Sequence, residues 1–231
     1  THLIHTHITV KVPTCSSDED LFLINPYGLL WDEIDASSLV TVRANGGIVD
    51  NGSTAMPINP AGFKIHSAIH TSDRGQEGGD ILWTMHTHTP ECVAVASLGV
   101  GLIRGLSQYA MDLGGISYHD FEHATKPENT VCARLVQDLG PTHKICMLRN
   151  HGPITVGKTV SEAFFLMYQL VEACKVQLQV LSMSKGPSDF SVVPDEVVEE
   201  TYSIVQANYT GKPFGELEWL AAKRRMEKSQ G

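Results

Sequence analysis

Two apolar runs in this chain end in the same way. Ile81-Leu-Trp-Thr-Met-His-Thr-His and Lys144-Ile-Cys-Met-Leu-Arg-Asn-His each finish in histidine, and each is then broken, at Pro90 and at Gly152. Short apolar runs bounded by chain breakers read as buried strands. Side chains two apart on a strand project from one face, so His86 and His88 can reach one point just past a strand end. His151 stands in a similar setting. Three neutral imidazoles converging in a cleft suit a catalytic divalent metal, Zn²⁺ above all with Mn²⁺ as the alternative, with one coordination position left open. Any fold for this chain must therefore bring two strand ends together. The histidines are also locally concentrated: six of the eleven fall in the close pairs His5/His7, His66/His70 and His86/His88.

The remaining composition excludes several classes. A chain of 231 residues is read as one domain spanning 1–231, long enough to bury roughly 70% of its unfolded surface without staples. The net charge of −9 argues against a nucleic-acid partner, and the one basic cluster, Lys223-Arg-Arg-Met-Glu-Lys, reads as a solvated helix face. The five cysteines (15, 92, 132, 146 and 174) are odd in number and form no Cys-X-X-Cys. They read as reduced thiols of a cytoplasmic protein. No apolar stretch approaches the roughly 18 residues of a membrane span, and no signal peptide is visible. No dinucleotide glycine pattern and no Gly-X-Ser-X-Gly occurs, so neither a nucleotide fingerprint nor a serine-nucleophile turn is present.

The periodicity switches between two and 3.6 along the chain. Strands are expected at 7–12, 21–24 and 40–44, at 47–52 after a turn at Asn45-Gly46, and at 81–88, 144–149 and 154–156. Asn59-Pro60 opens a helix to about Thr71, Pro90 a second, and Pro127 a third ending near Leu139-Gly-Pro. Residues 72–80 read as an exposed loop and 102–118 as irregular. Thr159-Val-Ser-Glu162 is a capping box at the head of the longest helix, with Phe164, Met167, Val171, Cys174, Leu178 and Leu181 as its inner stripe. Helices near 194–209 and 213–228 close a mixed α/β element list.

These motifs together resemble the class II aldolase/adducin family. They are His7-Ile-Thr-Val, Phe22-Leu-Ile-Asn-Pro-Tyr-Gly-Leu-Leu, Asn59-Pro-Ala-Gly-Phe-Lys-Ile-His-Ser-Ala-Ile-His, His86-Thr-His-Thr-Pro, Gly115-Ile-Ser-Tyr-His-Asp and Leu148-Arg-Asn-His-Gly. The resemblance covers nearly the whole chain, lacks only the family's N-terminal helix, and so suggests a trimmed start. It implies a three-layer α/β/α fold around a mixed, mainly antiparallel sheet, often assembled as a homotetramer. It implies His86, His88 and His151 as ligands of a divalent metal. It also implies a lyase that cleaves a carbon–carbon bond next to a metal-chelated carbonyl, as on fuculose 1-phosphate, through an enediolate.

The departures from the family pattern shape the expected chemistry. The Ser-Ser-Glu stretch that carries the aldolases' acid/base aligns with Pro60-Ala-Gly, so Gly62 stands where their carboxylate would be. His66, Glu91 and Tyr118 are then the candidate proton carriers, in that order. Asn25, Tyr27, Gly28 and Asn59 are the candidate substrate contacts. His70 reads as structural, His119-Asp120 as a possible relay, His5, His7 and His123 as lining the cleft, and His2 and His143 as exposed. The Pro-Ala-Gly-Phe version resembles the adducin-like branch, which holds metal-dependent decarboxylases and the non-catalytic, actin-associated adducin head domain. Decarboxylase and binding module are thus the alternatives to aldolase.

Overall fold

The computed structural model describes residues 3–12, 19–76, 79–122 and 128–230. Eight strands form one sheet: β1 (His7–Val12), β2 (Leu21–Ile24), β3 (Val40–Arg43), β4 (Ile48–Asp50), β5 (Trp83–His86), β6 (Ile116–His119), β7 (Ile145–Leu148) and β8 (Gly152–Gly157). Their order across the sheet is β4-β3-β2-β1-β5-β8-β7-β6. Every pairing is antiparallel except β6 with β7, which is parallel. The helices are α1 (Pro60–His70), α2 (Pro90–Ser97), α3 (Gln108–Met111), α4 (Glu128–Leu139), α5 (Val160–Met183), α6 (Asp195–Asn208) and α7 (Glu216–Gln230).

The layering is visible in β7, whose four residues are all buried. Ile145 and Met147 pack with α2, α3 and α5 through Val95, Ala110, Leu166 and Leu170. Cys146 and Leu148 point the other way, onto Ile69 of α1 and Leu135 and Leu139 of α4. A strand covered on both faces reads as a continuous apolar run because alternation has no polar side to report. On the α1 face a further cluster joins Phe22 and Ile24 of β2, Val40 and Val42 of β3, and Phe63. The three-layer α/β/α arrangement expected from the sequence is the one observed.

The local signals act as their chemistry dictates. Asn59 caps α1 by accepting the Gly62 N–H at 3.2 Å, with Pro60 in the first turn. Thr159 caps α5 by accepting from the Glu162 N–H, while Glu162 reaches back to the Lys158 N–H. At the hairpin turn, Asn45 Oδ1 accepts the Gly47 N–H at 2.9 Å. Among the described residues no helix is long and apolar enough to cross a membrane, and Cys92, Cys146 and Cys174 are buried free thiols. Cys15, His2, His123 and the Pro127 helix start lie outside the described residues.

Four expectations are corrected. Residues 102–118 are not irregular: they contain α3 and the start of β6. Within the stretch read as an exposed loop, Asp73–Gly75 form a 3₁₀ turn with Gly75 buried, and Arg74 is bidentate to Asp80 (2.9 and 2.8 Å) and also donates to the Gly140 and His143 carbonyls. The buried stripe of α5 is turned by about one residue, to Phe165, Leu166, Gln169, Leu170, Ala173, Cys174 and Gln177. Phe164 instead meets Trp219 of α7, with ring centroids 5.3 Å apart. His143 is half-buried over Gly115 rather than exposed.

Candidate metal centre

His86 is the last residue of β5, so strand alternation does not carry His88 into place. The backbone beyond the strand does. Gly152 has φ +151, and a Cβ there would meet the Thr87 carbonyl oxygen at 2.3 Å. Only glycine lets the turn between β7 and β8 lie this close to the segment carrying His88. Asn150, at φ +59, and a bond from the His151 N–H to the Leu148 carbonyl (3.1 Å) tighten that turn and aim His151 inward. Asn tolerates this left-handed conformation better than most residues.

The three imidazoles converge. Nε2 of His88 lies 2.7 Å from Nε2 of His86 and 2.9 Å from Nε2 of His151. The ligand atoms of the three rings all fall within 4.8 Å of one another. His86 Nδ1 lies 2.9 Å from the Pro153 carbonyl, which can only accept. The proton is therefore on Nδ1, and Nε2 offers a lone pair. This backbone–imidazole pairing commonly fixes a metal-binding tautomer. A single N–H on His88 Nε2 can fill one of its two short contacts but not both, whereas a cation among the three nitrogens satisfies all of them. The donor set fits a divalent ion that prefers imidazole.

Behind this group lies a second line of histidines. His7 is directly opposite His86 across β1 and β5, and opposed residues of an antiparallel pair share a face. His7 Nδ1 is 3.0 Å from His66 Nε2, and Thr9 Oγ1 is 2.8 Å from both His66 Nδ1 and His70 Nε2. His66, His70 and Thr9 are wholly buried. A Cβ on Gly62 would sit 2.1 Å from His7 Nε2. The His7 ring thus fills the space that a side chain at position 62 would need.

The environment holds these rings neutral. Burial, then the charges of His88 and His151, brings His7 down to about 4. Burial, then the charge of Lys11, brings His70 down to about 3. Burial holds His66 and His86 well below the usual histidine range, against a small upward pull on His86 from the Pro153 carbonyl. Burial also lowers His151. Neutral imidazole is the form that binds metal.

The cleft, about 130 Å³, is walled by His5, His7, Asn59, Ala61, Gly62, Ile65, His66, His86, His88, Leu148, His151 and Ile154. Of the other candidates, Asn59 is on its wall. Asn25 is occupied as a clamp, accepting the Ile8 N–H and donating to the Thr6 carbonyl. Tyr27 lies near His5, at 6.0 Å between ring centroids, and Gly28 packs near Met56. Glu91 is in the first turn of α2, away from the cleft wall, where its charge acts on Lys175 and Cys174. Tyr118 is also outside the cleft: its hydroxyl accepts the Leu102 N–H at 2.8 Å, and Arg149 covers its ring. His119 pairs with Asp138 of α4 at 2.7 Å, not with Asp120. The sequence does not single out Thr9 or the Pro153 carbonyl, although Thr9 shares the alternating face of β1 with His7.

Residues 1–178 match the profile of the class II aldolase and adducin N-terminal domain. The chain belongs to this family. Within it, the chain is 41% identical to rat alpha-adducin over 187 residues, which is 81% of this chain and 24% of that protein. It is 36% identical over 227 residues to a Caulobacter vibrioides protein named for the class 2 aldolases, covering 98% of this chain and 82% of that one. The chain spans about a quarter of the length of the curated adducins it matches. A solved aldolase II superfamily protein from Pseudomonas syringae superposes with a TM-score of 0.86 at 36% identity, covering 99% of this chain and 86% of that one. L-fuculose 1-phosphate aldolase from Glaciozyma antarctica follows at 0.72 and 25% identity, covering 88% and 74%.

Proposed function

We propose that the chain is a metal-dependent lyase that breaks a carbon–carbon bond beside the carbonyl of a small, sugar-like molecule. The observation that carries this reading is the convergence of His86, His88 and His151 with the His86 Nε2 lone pair fixed by Pro153. Zinc, or manganese in its place, would be held by these three rings and would supply Lewis acidity to the substrate's oxygens. The chain's own residues then confine and orient the substrate. Asn59 and His7 offer polar atoms on the wall, while Ile65, Leu148 and Ile154 limit water.

In either form of the reaction the electron pair of the broken bond moves onto the carbonyl oxygen. From an aldol, the β-hydroxyl loses its proton and an aldehyde departs. From a 3-oxo acid, carbon dioxide departs and no proton need be removed. No carboxylate stands among the described residues of the cleft wall, which favours the second form. Of the proton carriers considered, His66 is in the wall, behind His7. The metal-loaded protein should release an aldehyde from a phosphorylated or free sugar, or carbon dioxide from a 3-oxo acid. Full metal loading with neither product from any compound tried would remove the lyase reading.

A binding module is the second reading, supported by Gly62 in place of the aldolases' carboxylate and by 41% identity to alpha-adducin. Co-sedimentation with filamentous actin, with and without metal, separates the two: a binding module pellets with the filaments, and a lyase stays in the supernatant.

A further inference from the structure

We infer that His7 presents Nε2–H into the cleft as a hydrogen-bond donor for a substrate oxygen that gains negative charge, from the space that Gly62 leaves free. The inference rests on the metal-centre reading for the identity of that oxygen, but the direction of the donor comes from the hydrogen-bond chain alone.

Thr9 has one hydroxyl proton and two imidazole partners. It must donate to one ring and accept from the other, which leaves two self-consistent arrangements. In the first, Thr9 donates to His70 Nε2. His66 must then carry its proton on Nδ1 and His7 must donate from Nδ1, leaving a bare lone pair at His7 Nε2. In this arrangement His70 carries its proton on Nδ1, a buried atom with no partner. In the second, His70 Nε2–H donates to Thr9, Thr9 donates to His66 Nδ1, and His66 Nε2–H donates to His7 Nδ1. His7 then carries its remaining proton on Nε2, and the stranded atom of His70 is only an acceptor. Stranded buried N–H groups are rarer in folded proteins than stranded acceptors, so the second arrangement holds. All three rings are Nε2–H tautomers, and they can change only together.

The geometry gives this donor its place. His7 lies opposite His86 in the strand register, with ring centroids 5.1 Å apart, so the cleft-facing edge of His7 adjoins the metal ligands. Its Nδ1 is committed to His66, so Nε2 is the ring atom available to a ligand. Gly62 is therefore required by the His7 ring: any Cβ there would meet Nε2 at 2.1 Å. His66, Thr9 and His70 are positioning residues that fix the tautomer of His7. A fixed donor aimed at developing charge is worth more in a confined cleft than in water.

Two measurements on the full chain test this. The first uses metal-free protein with ¹⁵N-labelled histidine, whose long-range proton–nitrogen correlations report each tautomer. His7, His66 and His70 should all be Nε2–H, and a Nδ1–H tautomer at His7 would overturn the inference. The second uses zinc-loaded protein and oxalate, a dianion that copies two adjacent charged oxygens. His7→Ala should keep its zinc and bind oxalate about tenfold or more weakly, as loss of a charge-assisted hydrogen bond implies. His7→Gln, whose amide can donate from a similar place, should recover part of the affinity. Loss of zinc on His7→Ala would make His7 a ligand, and unchanged oxalate binding would make it a spectator; either result overturns the donor. If the wild-type chain bound no zinc, the lyase reading would fall, and the tautomer measured without metal would still decide the donor.

Discussion

His86, His88 and His151 turn their Nε2 atoms on one another at 2.7 and 2.9 Å, with no oxygen between them. His7, His66 and His70 lie one step behind, and their nitrogens are spaced by direct ring contact and by one threonine hydroxyl. Burial is the main cause that lowers His86 and His151 in the first group and all three rings of the second below the usual histidine range. The outer group converges because strand β5 ends and a glycine-hinged turn closes on it. The inner group is strung between β1 and one face of α1. Three facing nitrogens that can fill only one of their two short contacts with a proton are suited to a cation, whereas nitrogens that alternate with a hydroxyl satisfy themselves and set a direction. Which partner takes each hydrogen bond, rather than histidine content, divides the two tasks.

The sharpest way to break this comparison is to remove one outer ring. His151→Ala should weaken zinc binding by more than the 10–100-fold that loss of an outer hydrogen bond costs and abolish any lyase activity, as read by metal content and product release. Removing the inner link should act on stability instead. Thr9→Val strands buried nitrogens of His66 and His70, at about 1–3 kcal/mol each, measured by denaturant unfolding of the metal-free chain. Gly62→Ala should cost about 1–3 kcal/mol through overpacking against His7. His7→Ala combined with Gly62→Ala should recover much of that loss, because the two sites are coupled.

Acid should act on the inner group before the carboxylates. His7 and His70 stay neutral in the folded chain down to about 4 and about 3, while in the unfolded chain they protonate near 6.5. The unfolded state thus binds more protons below that value. Stability is whole above about pH 6.5 and falls as pH drops toward 4, by about 1.4 kcal/mol per pH unit for each ring kept neutral. Unfolding midpoints between pH 7 and 4 should show this slope, and Thr9→Val should leave its sign unchanged. The smallest effect is expected at Tyr118. Tyr118→Phe loses one acceptor for the Leu102 N–H, at about 1 kcal/mol, and should leave zinc affinity untouched, as a titration would show.

Much of this could be read from the sequence because its signals are local. Asn59-Pro60, Thr159 with Glu162, and Asn45-Gly46 act within a few residues of themselves, and the structure places α1, α5 and the hairpin there. Strand β6 was hidden because it is four residues long and pairs on one side only, with β7. The α5 stripe was misplaced because the helix buries polar residues with long-range partners. Gln177, for instance, accepts from the Ile103 N–H and donates to the Gly101 carbonyl, both at 2.7 Å. An apolar-only stripe cannot reveal such residues. The His7–Gly62 contact needs the β1–β5 register and the seating of α1, neither of which adjacent residues encode. The outer histidines were legible because His86 and His88 are neighbours and His151 ends a matching run.

The most direct test is a zinc titration of the metal-free full chain at neutral pH, followed by calorimetry. Histidines that converge around an ion predict one zinc bound per chain, lost separately in His86→Ala, in His88→Ala and in His151→Ala. A chain that binds no zinc, or a triple variant that still binds one, would contradict the metal centre.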